Sequence, residues 1–132
     1  LERQQALQAH ESAVLAREHL AGLGASAELI DETCRLILMT KNHWDGPSAG
    51  DSDHFLDADI AILGARPAIY DAYATGVRQE YSWAPEPAYR AGRSAFLAKA
   101  LARPRLFRTE AFESAYAAPA RANMRRELAA LS

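Results

Sequence analysis

The chain has 132 residues, of which 49% are hydrophobic and 24% are charged, and it carries a formal net charge of −2 and one cysteine, Cys34. This length suits one domain, and the composition is that of a folded globular protein, not of a disordered chain. The near-neutral charge argues against nucleic-acid binding, and the lack of an apolar run of about 18 residues argues against membrane insertion. The lone cysteine argues against a disulfide framework. Together with the lack of a secretory leader, it favours a reducing, cytoplasmic setting.

The amino-acid usage favours helices over strands. The chain contains 29 alanines but only 11 β-branched residues. Alanine has the highest helix propensity, whereas β-branched side chains fit the pleated surface of a sheet. We therefore predict an all-α protein.

Glycine and proline residues divide the chain into about six predicted helices. These are expected at 2–23, 26–40, 54–63, 67–83, 87–103 and from Thr109 to the end of the sequence, with Ser26 and Thr109 as N-caps. A polar loop at 42–52 is of the kind that borders many binding sites. Pro119 is expected to kink or break the last helix near Ala118, because proline removes a backbone hydrogen bond.

The segment 54–64 carries two aspartates that a helical wheel separates. With Asp59 at the centre of the apolar face, Asp57 lies about 160° away, on the side expected to face solvent. An unpaired buried carboxylate costs several kcal/mol, so Asp59 should bind an arginine, other hydrogen-bond donors or a metal ion. At this point a structural pair and a metal or catalytic role are equally open.

Other polar residues interrupt apolar stripes or close a helix. Arg93 lies on an apolar face, and its most economical explanation is a structural ion pair with Glu80, with a substrate role as the alternative. Thr40 and His43 end the second helix at the polar loop. His43 there suits a metal, a phosphate or a proton-transfer step, although a simple interaction with the helix dipole is slightly favoured.

Several strings in this chain occur together in a known family. They are Thr40-Lys-Asn-His43, Asp53-His-Phe-Leu-Asp-Ala-Asp-Ile-Ala-Ile-Leu-Gly64, Tyr70-Asp-Ala-Tyr73, Val77-Arg-Gln-Glu-Tyr81, Tyr89-Arg-Ala-Gly-Arg93 and Ala120-Arg-Ala-Asn123. Through these sequences the chain resembles a bacterial family of predicted metal-dependent phosphohydrolases of the HD superfamily. The resemblance covers roughly residues 12–131.

The resemblance implies a fold and a metal site. The fold would be one HD-type all-α helical bundle over 1–132. In such proteins a histidine, an adjacent His-Asp pair and a later aspartate surround a divalent metal, which can be Mn, Mg, Fe, Ni, Co or Zn. The later aspartate often follows an alanine, and Ala58-Asp59 matches it. Asp59 is thus the implied metal ligand, with Thr40, His43 and Arg93 as candidates around the substrate or behind the ligands.

This chain departs from the family at its beginning. No adjacent His-Asp pair occurs in the 132 residues, and the corresponding place reads Gln8-Ala-His-Glu-Ser12-Ala13. We therefore expect the family's N-terminal helices to lie outside this chain, and the chain alone to be inactive.

Two functional hypotheses follow from these observations. The first is hydrolysis of a phosphate ester or anhydride, with a nucleotide as one candidate. Its expected partner is a small phosphorylated substrate; neither a membrane nor nucleic acid is expected, and self-association stays open. The second is a non-catalytic all-α binding or regulatory module with Asp59 in a structural salt bridge.

Overall fold

The computed structural model describes residues 2–39, 44 and 50–132, with side chains at 7–38, 44 and 50–132. It confirms the all-α prediction, since the described residues form six α-helices and no β-strand. The helices are α1 Glu2–Gly22, α2 Ala27–Met39, α3 Asp51–Ile60, α4 Pro67–Glu80, α5 Glu86–Leu101 and α6 Glu110–Leu131. A 3-10 turn, Ala61–Gly64, continues α3. No helix among these residues is both long and apolar enough to cross a membrane.

Local sequence signals account for several helix ends. The Ser26 hydroxyl accepts a hydrogen bond from the Leu29 amide, and the Thr109 hydroxyl accepts one from the Phe112 amide, which confirms both predicted N-caps. Pro67 lies in the first turn of α4, where its missing N–H costs nothing. Gly24 has a φ of 76°, a left-handed conformation that favours glycine just after a helix.

The contacts within the chain divide it into two compact units, Leu1–Leu56 and Asp57–Ser132. The single domain predicted over 1–132 stays a prediction. In the first unit α1 and α2 pack along each other around Ala13, Ile30 and Cys34. The Cys34 thiol donates a hydrogen bond to the Ala13 carbonyl at 3.3 Å, so this lone cysteine is part of the small core.

The second unit is organised around α6. This helix packs against the 3-10 turn, α5 and α4. The buried hydrophobic residues of the unit include Leu63, Tyr70, Tyr81, Ala84, Tyr89, Leu97, Ala100, Leu106, Phe107, Ala120 and Met124. The closest approach is at Gly64, where a β-carbon would lie 2.7 Å from the Tyr116 carbonyl oxygen.

The predicted break at Pro119 is wrong, because α6 runs without interruption from Glu110 to Leu131. Tertiary contacts hold the helix on both sides of the proline. Before it, Tyr116 packs on Gly64. After it, the Asn123 side-chain amide donates to the carbonyls of Leu63 at 2.9 Å and Ala65 at 2.8 Å. These contacts offset the loss of one helical hydrogen bond, which for an interior proline costs about 3 kcal/mol.

Replacing Gly64 with alanine should lower the free energy of unfolding by about 1–3 kcal/mol, because the new β-carbon would overlap Tyr116 and force the turn away from α6. Gly76 in α4 is the matched control, since a β-carbon there meets nothing within 4 Å. Gly76→Ala should raise stability by about 0.5–1 kcal/mol, the usual gain on removing an interior helical glycine. Urea denaturation measures both. An unchanged midpoint for Gly64→Ala would contradict the close approach.

Candidate functional site

The two aspartates of α3 face the opposite way from the prediction. Asp57 is 1% exposed, whereas Asp59 is exposed. The apolar face that the helical wheel centred on Asp59 included Phe55, which is itself 36% exposed. It also extended an α-helical repeat past Ile60, where the chain tightens into a 3-10 turn with fewer residues per turn. The predicted burial of Asp59 is therefore wrong, and Asp57 is the buried carboxylate.

Asp57 is satisfied entirely by the start of α6. Its Oδ1 accepts the Arg108 amide at 2.7 Å, and its Oδ2 accepts the Thr109 amide at 2.8 Å and the Thr109 hydroxyl at 2.7 Å. Hydrogen bonds to a carboxylate are stronger than neutral ones, and a helix N-terminus favours negative charge. These contacts make Asp57 a structural residue.

Glu113 binds the two preceding amides. Its Oε2 accepts the Leu106 amide at 3.0 Å and the Phe107 amide at 2.8 Å. Four consecutive backbone N–H groups, which we call the 106–109 amides, are thus held by two carboxylates. No such role was predicted for Asp57 or Glu113 from the sequence. The signal that the sequence offered was Glu113, an acid close to the N-cap Thr109, because a helix N-terminus favours negative charge.

Arg93 forms a buried ion pair with Glu127 of α6. Its Nε lies 2.7 Å from Oε1 and its Nη2 lies 3.1 Å from Oε2, with side chains only 5% and 11% exposed. Glu80, the predicted partner, is exposed instead. The Arg93 guanidinium lies over the Tyr73 ring at 5.6 Å, and Glu80 is seven residues, roughly 10 Å, further along α4. The predicted pairing of Arg93 with Glu80 is therefore wrong.

Tyr70 joins the same ion pair, since its hydroxyl donates to Glu127. Burial, then this hydrogen bond, raise the pKa of Tyr70 well above its usual range. Burial alone would lower the pKa of Arg93, but hydrogen bonding to Glu127 together with electrostatic interactions with Tyr73 and Glu127 outweighs burial, so the pKa is raised and the guanidinium stays charged. Because the Nε and Nη2 donors of Arg93 bind Glu127, the geometry supports its structural role and gives no support to a substrate role.

The remaining predicted site residues are not brought together by the described structure. Thr40 and His43 lie outside the described residues. An exposed carboxylate such as Asp59 is chemically suited to a divalent cation. Within the described ranges, however, no three His, Cys, Asp or Glu residues come close enough to hold a metal ion. Asp59 is the one ligand that this part of the chain offers for the site implied by the resemblance.

Comparison with family models, curated proteins and solved structures gave no match to this chain. The resemblance to the HD superfamily therefore stays a prediction, and function has to be argued from the residues themselves.

Asp57→Asn should lower the free energy of unfolding by about 1–3 kcal/mol, since the new amide group would confront backbone donors that now bind a carboxylate. Asp59→Asn is the matched control, two residues away on the same helix but exposed. Contacts of an exposed carboxylate contribute little, so this control should change stability by no more than about 1 kcal/mol, less than Asp57→Asn. Thermal and urea denaturation of the two variants test this. Equal effects, or the reverse order, would show that the two carboxylates are wrongly assigned.

Proposed function

We propose that this chain contributes to a metal-dependent phosphohydrolase of the HD superfamily that acts on a phosphate ester or anhydride, a nucleotide being one candidate substrate. The observation that supports it most is that the two aspartates of α3 differ in their surroundings. Asp57 is engaged by the start of α6, whereas Asp59, which the Ala-Asp string marks as a ligand, is exposed.

The chemistry of Asp59 suits this role. Carboxylate oxygens are preferred ligands of hard divalent cations, and a ligand on an anchored helix is held more accurately than one on a loop. When bound, a divalent metal supplies polarisation of a phosphoryl oxygen and a hydroxide nucleophile. The described residues provide one ligand, so in this proposal the other ligands come from residues outside the described ranges.

The other candidates differ in their support. Arg93 faces Glu127, so the proposal gives it no part in binding the substrate. Thr40 and His43 keep their predicted places near the substrate or behind the metal ligands. The proposal therefore depends on Asp59.

A non-catalytic helical binding or regulatory module is the second candidate, and one observation favours it. The buried polar side chains Asp57, Arg93 and Asn123 all bind partners within the chain, as expected of a scaffold. In this case Asp59 is an ordinary surface acid. The structural salt bridge predicted for Asp59 in this module would lie at the surface, because Asp59 is exposed.

Titration of the 15N-labelled chain with Mn²⁺ separates the two candidates. Paramagnetic broadening of amide signals should be strongest around Asp59, because even a weakly held ion relaxes the nuclei nearest to it. Asp59→Asn should remove this broadening. Glu80→Gln, which neutralises another exposed helical carboxylate, should leave it unchanged.

Broadening that occurs near the exposed acids in general and is unchanged by Asp59→Asn would favour the non-catalytic module.

Hydrolysis of p-nitrophenyl phosphate and of nucleotides is then measured with the product of the complete reading frame that encodes this chain. The phosphohydrolase proposal predicts Mn²⁺-dependent turnover that Asp59→Asn abolishes and Glu80→Gln retains. Absence of turnover from that protein would contradict it.

A further inference from the structure

The buried and the exposed aspartate of α3 are mechanically linked. Residues two apart on an α-helix point roughly 200° apart, so Asp57 and Asp59 project from nearly opposite sides of one turn. The Asp57 carboxylate is fixed by three hydrogen bonds to Arg108 and Thr109. Any rotation of this turn about its axis would break those bonds, so they fix the rotation of the turn from which Asp59 projects.

Further contacts hold the 3-10 turn that continues α3 against α6, and so fix the direction of the α3 axis. Tyr116 packs on Gly64, and Asn123 binds the Leu63 and Ala65 carbonyls. Thr109, Tyr116 and Asn123 follow one another at intervals of seven residues, about two helical turns, so they lie along one side of the α6 axis. Of these three contacts, only that of Thr109 reaches the turn that carries Asp59.

Thr109 has two roles in this arrangement. Its hydroxyl donates to Asp57 at 2.7 Å and accepts from the Phe112 amide at 3.3 Å, so the group that begins α6 also holds α3. Serine could make both hydrogen bonds, whereas valine has nearly the same shape and can make neither.

We propose that Asp57 and Thr109 are positioning residues that set the direction in which Asp59 is presented. The purpose of this positioning rests on the proposed function, in which Asp59 is a metal ligand. The direction of residue 59 itself can be measured without metal or substrate. Because a structural role alone would also lower stability, the test has to report direction separately from stability.

Pulsed electron–electron resonance provides that readout. Nitroxide labels are attached through Asp59→Cys and through Ala98→Cys, an exposed position of α5 in the same unit, after Cys34→Ala removes the native cysteine. The distribution of distances between the two labels is compared in four chains. These are the labelled background and the same background with Thr109→Val, Thr109→Ser or Tyr70→Phe.

The proposal predicts a single narrow distribution in the background, a broader or displaced one in Thr109→Val, and recovery in Thr109→Ser. Tyr70→Phe removes a buried hydrogen bond to Glu127 elsewhere in the unit, so it controls for lost stability and should leave the distribution unchanged. Circular dichroism establishes that each variant is folded. If Thr109→Val unfolds, Asp57→Asn takes its place.

A distribution that Thr109→Val leaves unchanged, or that Tyr70→Phe broadens equally, would overturn the proposal. The two proposals also fail separately. If Thr109→Val changes the distance distribution but Mn²⁺ broadening does not depend on Asp59, the positioning role stands and the metal site is contradicted. If Mn²⁺ binds at Asp59 but Thr109→Val leaves the distance distribution unchanged, the metal site stands and the positioning role is contradicted.

Discussion

The 106–109 amides and the two carboxylates that bind them are the interaction on which the second unit depends. The chain passes from α5 to α6 here, and the amides of such a connection have no partner within a helix. Buried amides left unpaired would each cost about 1–3 kcal/mol. Glu113 binds the first two amides from within α6, and Asp57 binds the last two from α3. The hydrogen bonds of Asp57 therefore also attach the last turn of α3 to the start of α6.

The rest of the unit follows from the position of α6. Glu127 near its C-terminal end binds Arg93 of α5 and Tyr70 of α4. Asn123, one turn earlier, holds the 3-10 turn through two carbonyls. The helices α4 and α5 thus meet at one residue of α6, Glu127, whereas the 3-10 turn is held one turn earlier. Because hydrogen bonds are directional, these contacts specify which face each element turns toward α6. Apolar burial alone would allow more than one orientation.

The existence of the helices could be predicted from the sequence, because it depends on local properties. Abundant alanine, few β-branched residues and the capping hydroxyls of Ser26 and Thr109 act within a few residues of themselves. The break at Pro119 was predicted wrongly because that argument counted one lost hydrogen bond. The contacts of Tyr116 and Asn123 with a turn some 50 to 60 residues earlier outweigh it.

The site was less predictable, because it depends on which helices meet and how each is rotated. Arg93 was rightly placed in an apolar surrounding, but helical spacing cannot tell Glu80 from Glu127 as its partner. The roles of Asp57 and Asp59 were exchanged because a regular wheel ignores the 3-10 turn that follows. The Ala-Asp string still singles out Asp59, whose exposure suits a ligand, and the proposals here depend on that residue.

Amide hydrogen exchange at 106–109 tests the central interaction most directly. If two carboxylates hold these amides, all four should exchange as slowly as the core of α6. Asp57→Asn should then accelerate exchange at Arg108 and Thr109, while Leu106 and Phe107, which are bound by Glu113, stay slow. Rapid exchange of all four amides in the wild-type chain, or equal acceleration of all four in the variant, would contradict the account.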